Sequence, residues 1–533
     1  MASESINSSR GEYQDRNQQG SASAADNVPH AARGAAATPS PMAWFPLGYR
    51  EGFSQWWCSL PAAAAEHKVL SYLPYLQHQP PTHLQTGKTA NGSGGESGSL
   101  QSADQSQQGE VAAQSFDDPY GPRRWLSSMV QLSGKNRALN EFSVERIGEE
   151  ADQHLVMLHG YGAGLGFFYK NFEPLSRLTG WQLHALDLLG MGRSTRPPFR
   201  IKAKEREEAI REAEDWFVDA LEEWRVKRKI ERFTLLGHSL GGYIAVNYAL
   251  KYPGRLNKLI LASPVGIPED PYAMTSELPE KQDQADQAAV AASAAAVPPG
   301  DVPKGDNNIL LKGPQADASS SKDRPRRSIP KWFAYLWEAN ISPFSLVRWA
   351  GPLGPRLVSG WTSRRFSHLP ADEAKALHDY SYSIFSMRGS GEYALAYILA
   401  PGAFARSPLI RRIEGIGRQT IPASVPSPPS SSTTATSEPT SRPETGLPVV
   451  FLYGDHDWMD YKGGMEAAAK IAKEKKRLLE NATPEERDAD NGSAKVVMIK
   501  NSGHHVYLDG CDQFNETVLK EMEEVARKER SRL

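Results

Sequence analysis

The string Gly237-His238-Ser239-Leu240-Gly241, followed by Gly242, sets a serine among small residues. A serine hydroxyl is a poor nucleophile until a base takes its proton and an acid orients that base. By itself the string is a weak pattern in a chain with 44 glycines. Two later strings supply the missing groups in the order serine, acid, histidine. Gly454-Asp455-His456-Asp457 carries the acid: Asp457, three residues after the glycine, is the choice, Asp455 the runner-up and His456 a neighbour. Asn501-Ser502-Gly503-His504-His505 carries the base, read as His504, with His505 packing or hydrogen-bonding beside it. An oxyanion needs donors, and His159-Gly160-Tyr161-Gly162 is placed to give one. The backbone N–H groups of Leu240 and Tyr161 are assigned to that hole, with Gly162 a further candidate and His159 a loop-shaping residue. The chemistry expected of this set is acyl-ester cleavage through an acyl-serine intermediate.

These residues need elements that deliver them to one place. Phe233–Leu236 reads as a buried strand entering the serine turn, and Tyr243–Lys251 as a helix leaving it. That is the strand–nucleophile–helix arrangement in which small neighbours tolerate a strained backbone. The new helix also presents its amino terminus to negative charge developing beside Ser239. His154–Leu158, Leu183–Leu186, Leu259–Ala262, Val449–Tyr453 and Val496–Lys500 are the other predicted strands, so acid, base and oxyanion loop each follow a strand. Sheets of this kind carry their sites at the carboxyl ends of strands. Ile210, Ala213, Phe217, Leu221 and Trp224 step by three or four, one face of an amphipathic helix. Helices are expected near 463–480 and 511–530. The fold class predicted is α/β, a mostly parallel sheet flanked by helices with an inserted helical cap.

The chain divides by composition. Residues 1–41 are Ser/Ala/Asn/Gln-rich and expected to be disordered. Residues 42–77 concentrate Trp44, Phe45, Tyr49, Phe53, Trp56, Trp57, Tyr72 and Tyr75, an aromatic density suited to a lipid–water boundary or to packing on the catalytic domain. A linker and lead-in occupy 78–138, the first part of the core 139–270, a low-complexity insertion 271–328 and the helical cap 329–419. A second linker covers 420–446, and the core resumes over 447–533.

Net charge is −2, so no bulk charge favours nucleic acid, and no nucleic-acid partner is expected. Two cysteines, Cys58 and Cys511, exclude a disulfide framework and show no metal-ligand spacing. The glycines at 160, 162, 164 and 166 lack a Gly-Lys-Ser/Thr ending, which argues against a nucleotide loop. No metal and no cofactor are expected. No run of about 18 apolar residues suggests a membrane span, and the amino terminus resembles neither a secretory signal nor a good mitochondrial presequence. An intracellular protein is expected; the pattern assigns no oligomeric state. Asp187–Ser194 reads as a structural turn at the pocket rim.

With these residues in place, the chain resembles the α/β-hydrolase family of cardiolipin-specific deacylases and related lysophospholipid acyltransferases. The resemblance rests on His159–Gly164, the Gly237–Gly242 elbow, Gly454–Met459, and the cap strings Ala350-Gly351-Pro352-Leu353-Gly354-Pro355 and Gly389-Ser390-Gly391-Glu392-Tyr393. It covers the core and the cap. It implies a phospholipid substrate, peripheral membrane contact and, for the branch it resembles most, cardiolipin deacylation at the mitochondrial inner membrane. His504-x-x-x-x-Asp509 matches an arrangement which that family associates with acyl transfer, so transfer to lysophosphatidic acid stays open, although Asp509 also suits the start of the final helix. A non-enzymatic lipid-surface scaffold is the third reading. Arg364, Arg365, Arg388 and Arg406 are candidates to meet phosphate, or else solvated cap surface.

Overall fold

The computed structural model describes residues 46–76, 111–115, 118–269, 331–401, 403–422 and 441–531. The expectations for 1–41 and for the insertion at 271–328 lie outside them. Its centre is a nine-stranded sheet in the order β1-β2-β3-β5-β4-β6-β7-β10-β11. The strands are β1 (Val111–Ser115), β2 (Arg123–Gln131), β3 (Ala138–Arg146), β4 (Gln153–Leu158), β5 (Trp181–Leu186), β6 (Phe233–His238), β7 (Leu256–Ala262), β10 (Pro448–Gly454) and β11 (Ser493–Ile499). β8 (Thr420–Ile421) and β9 (Arg442–Pro443) form a separate two-stranded ribbon at the margins of the 420–446 segment. From β5 to β11 every pairing is parallel, whereas β1, β2 and β3 join antiparallel.

The parallel strands are the ones the sequence marks, because helices cover both faces and every side chain of β6, β7 and β10 is buried. The antiparallel edge overturns part of the expectation for 78–138: β1 and β2 lie inside the stretch read as linker and lead-in. β3 explains why they were hard to see. It reads Ala-Leu-Asn-Glu-Phe-Ser-Val-Glu-Arg and buries its first seven residues, polar ones included. Glu141 is fully enclosed, but its carboxylate accepts from His184 Nδ1 at 2.7 Å and from Arg228 Nε at 2.8 Å. Burial alone would raise its carboxyl; those partners hold it down at about 2. Polar residues satisfied in this way do not appear as an apolar run.

On the flanks, the helix Arg206–Lys227 turns Ile210, Ala213, Phe217, Leu221 and Trp224 inward, as the spacing requires. The helix Tyr461–Leu479 follows β10, and the helix Cys511–Arg530 closes the described chain with Phe514, Val518, Met522 and Val525 buried. Between β7 and β10 the described residues from 331 to 398 form helices and 3₁₀ turns, chiefly Lys331–Glu338, Pro343–Trp349, Gly354–Arg365 and Ala371–Ser386. This is the helical cap.

The aromatic segment divides in two. Its second half, the helix Ala62–Leu70 and the turns after it, buries Ala65, Val69, Leu70, Leu73 and Leu76. It is fastened by Glu66, which meets Arg193 Nη1 at 2.5 Å, Asn140 Nδ2 at 3.1 Å and the Tyr380 hydroxyl at 3.0 Å. Its first half, the helix Tyr49–Trp57, leaves Tyr49 71%, Phe53 51% and Trp57 73% exposed. Among the described residues no helix is long and apolar enough to cross a membrane.

Candidate active site

Ser239 stands between the end of β6 and the first residue of the helix Leu240–Lys251. Its backbone adopts φ 53° and ψ −115°, a conformation that costs a non-glycine residue on the order of 1–3 kcal/mol. The surroundings enforce it: the Ser239 amide donates to Ala262 O at 2.9 Å, and its carbonyl accepts from Val265 N at 3.2 Å. Ser263, at the end of the adjacent β7, is likewise at positive φ and donates its amide to Leu452 O of β10 at 2.7 Å. The serine is thus held at the carboxyl end of the sheet, partly exposed.

β4 lies beside β6, which brings the loop 159–162 against the serine. A Cβ on Gly160 would fall 2.8 Å from His238 Nδ1 and 3.0 Å from Ser239 Cβ, so only glycine fits that approach. The amide N–H groups of Leu240, Tyr161 and Gly162 donate to no acceptor among the described residues. His159 is a support: its Nδ1–H donates to Gly160 O at 2.7 Å and its Nε2 accepts from Leu188 N at 3.1 Å. Burial pushes its imidazolium down to about 4, so it stays neutral. The turn 187–194 is also built from the inside. Asp187 accepts from Leu165 N, Arg193 N and Asn140 Nδ2, tying three segments together.

β10 and β11 deliver the acid and the histidine. His504 Nδ1 lies 3.1 Å from Asp457 Oδ1, which also accepts from Met459 N at 3.0 Å. A carboxylate acceptor on Nδ1 keeps the proton there and leaves Nε2 with its lone pair. Both side chains are buried, and the Trp458 ring packs on His504 at 4.8 Å. Asp455, the runner-up acid, accepts from Asn501 N and Ser502 N, each at 3.0 Å, and from His456 Nδ1 at 2.7 Å. Those bonds hold its carboxyl below the ordinary range although the partial desolvation of this exposed residue works the other way, and they stitch the loop after β10 to the loop after β11. Asp455 therefore shapes the site and does not face His504. The Ser239 hydroxyl makes no hydrogen bond among the described residues; nucleophile–base contacts of this type tighten as substrate enters.

Three further contributors complete the site; the sequence pointed to Asp509 and to Tyr161 among them, and not to His238 or to the cap aromatics. His238, the variable residue of the elbow, donates Nε2–H to the His504 carbonyl at 3.0 Å and packs its ring 4.9 Å from that of His504. Burial holds its imidazolium well below the ordinary value, so it is a neutral clamp linking the serine turn to the histidine loop. Asp509 accepts from Gly503 N at 3.1 Å and faces His368 Nε2 of the cap at 3.3 Å. It sits at the end of the short helix Val506–Asp509, ahead of the final helix rather than at its start. The third contributor is an aromatic file running from the loop 159–162 into the cap. Tyr161 stacks on Phe344 at 4.8 Å, Phe344 on Phe385 at 4.2 Å, and Phe385 meets Trp361 at 5.8 Å. Gly162, at φ +70°, faces Phe344 and Phe385 with ordinary van der Waals room.

Comparison with known proteins agrees with this architecture. A family model described as alpha/beta hydrolase fold matches residues 153–510. The chain is 31% identical over 404 residues to a 1-acylglycerol-3-phosphate O-acyltransferase of Arabidopsis thaliana, covering 74% of this chain and 71% of that protein. It is 28% identical over 402 residues to the mouse 1-acylglycerol-3-phosphate O-acyltransferase ABHD5, covering 74% and 84%. It is 29% identical over 400 residues to a human (lyso)-N-acylphosphatidylethanolamine lipase, covering 74% and 86%. A sheet of this order, a strained serine turn and a family match over most of the folded chain lead to one assignment: the chain belongs to the α/β-hydrolase fold family.

Proposed function

We propose that the protein cleaves acyl esters of a phospholipid with Ser239 as nucleophile, His504 as base and Asp457 as the acid that orients it. The observation that carries this reading is the Asp457–His504 pair at 3.1 Å, whose histidine loop is clamped by His238, the residue beside the strained serine. His504 Nε2 takes the Ser239 proton as Oγ attacks the ester carbonyl. The amides of Leu240 and Tyr161, with Gly162 beside them, receive the oxyanion. His504 then protonates the departing lysophospholipid, and water repeats the sequence on the acyl-serine. The file Tyr161–Phe344–Phe385–Trp361 gives an acyl chain an apolar wall, and the exposed Tyr49, Phe53 and Trp57 suit peripheral contact with a lipid surface. Ser239→Ala should abolish fatty-acid release and labelling by a fluorophosphonate probe; release at the wild-type rate from a folded variant would overturn the mechanism.

The finer reading, cardiolipin as substrate at the mitochondrial inner membrane, rests on the likeness of the cap strings. It is tested by comparing cardiolipin with other phospholipids in vesicles and by fractionation. Acyl transfer to lysophosphatidic acid is the second reading, favoured by the names of the acyltransferase relatives and by His504-x-x-x-x-Asp509. Water and a hydroxyl differ only as acyl acceptors, so the measurement is Asp509→Ala: loss of transfer with hydrolysis retained supports it, and retained transfer counts against it. A lipid-surface scaffold without chemistry is the third reading, supported by the same exposed aromatics and opposed by any labelling of Ser239.

A further inference from the structure

Arg365, the last residue of the cap helix Gly354–Arg365, differs from the other arginines drawn into the fold. Arg123 is closed by Asp118 and Glu173, Arg193 by Glu66, Arg348 by Glu392, Arg412 by Glu214, and Arg196 by backbone carbonyls of Gly190 and Gly192. Among the described residues Arg365 makes one hydrogen bond, from Nε to His505 Nδ1 at 3.2 Å, and has no carboxylate within ion-pair distance. Its Nη2 is enclosed and without a partner. A guanidinium can only donate, so His505 Nδ1 accepts and the imidazole is neutral, with its proton on Nε2. The cation is therefore drawn partly out of solvent with no carboxylate paired to it, only the more distant charges of Asp509 and Asp457 acting on it, an arrangement that leaves room for a closer anion. Burial accordingly pushes the Arg365 guanidinium below its ordinary value.

Its position gives that vacancy a direction. His505 is next to His504 in the chain, its ring 5.8 Å from that of His504 and 4.9 Å from that of His238. On the other side the His505 ring stacks on Tyr507 at 5.4 Å, and the Tyr507 hydroxyl is also enclosed and without a partner. Two unsatisfied polar groups, a guanidinium and a phenol, thus flank one imidazole beside the Ser239–His504 centre. The helix end that carries Arg365 bears the negative pole of its dipole, which favours a cation there but supplies no full charge.

We infer that Arg365, with Tyr507 beside it, is the recognition group for the phosphate of the substrate headgroup. The inference rests on the phospholipid reading above and deepens it. Arginine pairs with phosphate oxygens through parallel N–H donors, and a desolvated setting strengthens the pairing. An ester and the phosphate of a glycerophospholipid are separated by glycerol carbons alone, which matches a recognition group one side chain removed from the base.

The test compares wild type, Arg365→Gln and Arg365→Lys on two acyl esters: a monoacylglycerol and the lysophosphatidic acid with the same acyl chain. Arg365→Gln should lose kcat/KM on the phosphorylated substrate by about ten- to a hundred-fold more than on the neutral one, chiefly through KM, as expected for a lost charged hydrogen bond. Arg365→Lys should recover part of the difference. Equal losses on both substrates, or no loss on either because a buried water satisfies the guanidinium, would overturn the inference. Wild type alone gives an independent reading that does not depend on the variants folding. Glycerol 3-phosphate should compete against p-nitrophenyl butyrate hydrolysis, while inhibition by coenzyme A and not by glycerol 3-phosphate would assign the phosphate to an acyl donor and overturn the headgroup assignment. If wild type cleaves none of these esters and takes no fluorophosphonate label, the hydrolase reading itself fails. If it cleaves the neutral esters without preferring phosphate, only the role of Arg365 fails.

Discussion

Replacing Asp457 with asparagine removes one negative charge, and the geometry says what remains. Asp457 Oδ1 accepts from both His504 Nδ1 and Met459 N, while Oδ2 is enclosed without a partner. The Met459 N–H can be met only by an oxygen, so the asparagine keeps its carbonyl at the Oδ1 position and turns its NH₂ toward the enclosed side. His504 then retains its proton on Nδ1 and its lone pair on Nε2. What disappears is the charge beside the imidazolium that forms when His504 takes the Ser239 proton. Two unit charges about 4 Å apart in an effective dielectric near 20 attract by about 4 kcal/mol, so kcat should fall by about a thousand-fold. Had the amide turned the other way, the tautomer would invert and the loss would reach about ten-thousand-fold. The assay is saturating p-nitrophenyl butyrate hydrolysis, with a thermal melt to establish that each variant is folded. Asp455→Asn is the control: that side chain holds the Asn501 and Ser502 amides, and its loss should stay within about ten-fold, one strained or unmade hydrogen bond. The assignment is refuted if Asp457→Asn costs less than about ten-fold, or if Asp455→Asn costs more than Asp457→Asn.

Three further outcomes follow from the same geometry. Gly160→Ala puts a methyl against His238 and Ser239 Cβ; overpacking should cost about 1–3 kcal/mol of stability and displace the oxyanion loop, read as a lower melting temperature together with a fall in kcat. Burial, against the pull of Arg193, raises the Glu66 carboxyl from 4.5 to about 7. Folding therefore takes up a proton between those values, and the stability it brings is complete below 4.5 and lost as pH rises through 7, about 3 kcal/mol in all. Against wild type, the urea-unfolding free energy of Glu66→Gln should improve by that amount from pH 4.5 to 8, and a pH-independent gap would show that Glu66 is ionised throughout. Replacing both Phe53 and Trp57 with serine should weaken flotation with phospholipid vesicles by about 3 kcal/mol of lost burial, roughly a hundred-fold, while a soluble ester is cleaved as before; undiminished flotation would remove that surface from the account.

Where a residue's role follows from its immediate chain neighbours, the sequence was readable. The strands β4, β6, β7 and β10 appear as short apolar runs because both of their faces are covered, and the turns after β4, β6 and β10 name the candidates Tyr161, Ser239 and Asp457, as the turn after β11 names His504. Roles set by distant neighbours were not readable. β2 and β3 carry Arg123, Asn140 and Glu141 in their buried positions, and only partners far along the chain, such as Glu173, Glu66 and His184, make those residues acceptable inside. Asp455 and Asp457 differ by two positions, and the sequence ranked Asp457 first only by its spacing from Gly454; the loop after β11 lays two amides on Asp455 and an imidazole on Asp457. Arg364 and Arg365 were interchangeable as charges, and packing of the cap on His505 separates them.

The sequence by itself determined the serine turn and the order in which acid and histidine follow it, because strand, glycine and turn chemistry act over a few residues. It also determined that a helical cap interrupts the core, since apolar spacing changes period there. Only the tertiary structure decided which atoms meet: that His238 clamps the His504 loop, that Glu66 fastens the amino-terminal segment to Arg193 and Tyr380, and that Arg365 reaches His505 with a donor to spare. The physical reason is that a buried polar group is tolerated only through its partners. Those partners are chosen by strand order and cap docking, which no local stretch of sequence contains.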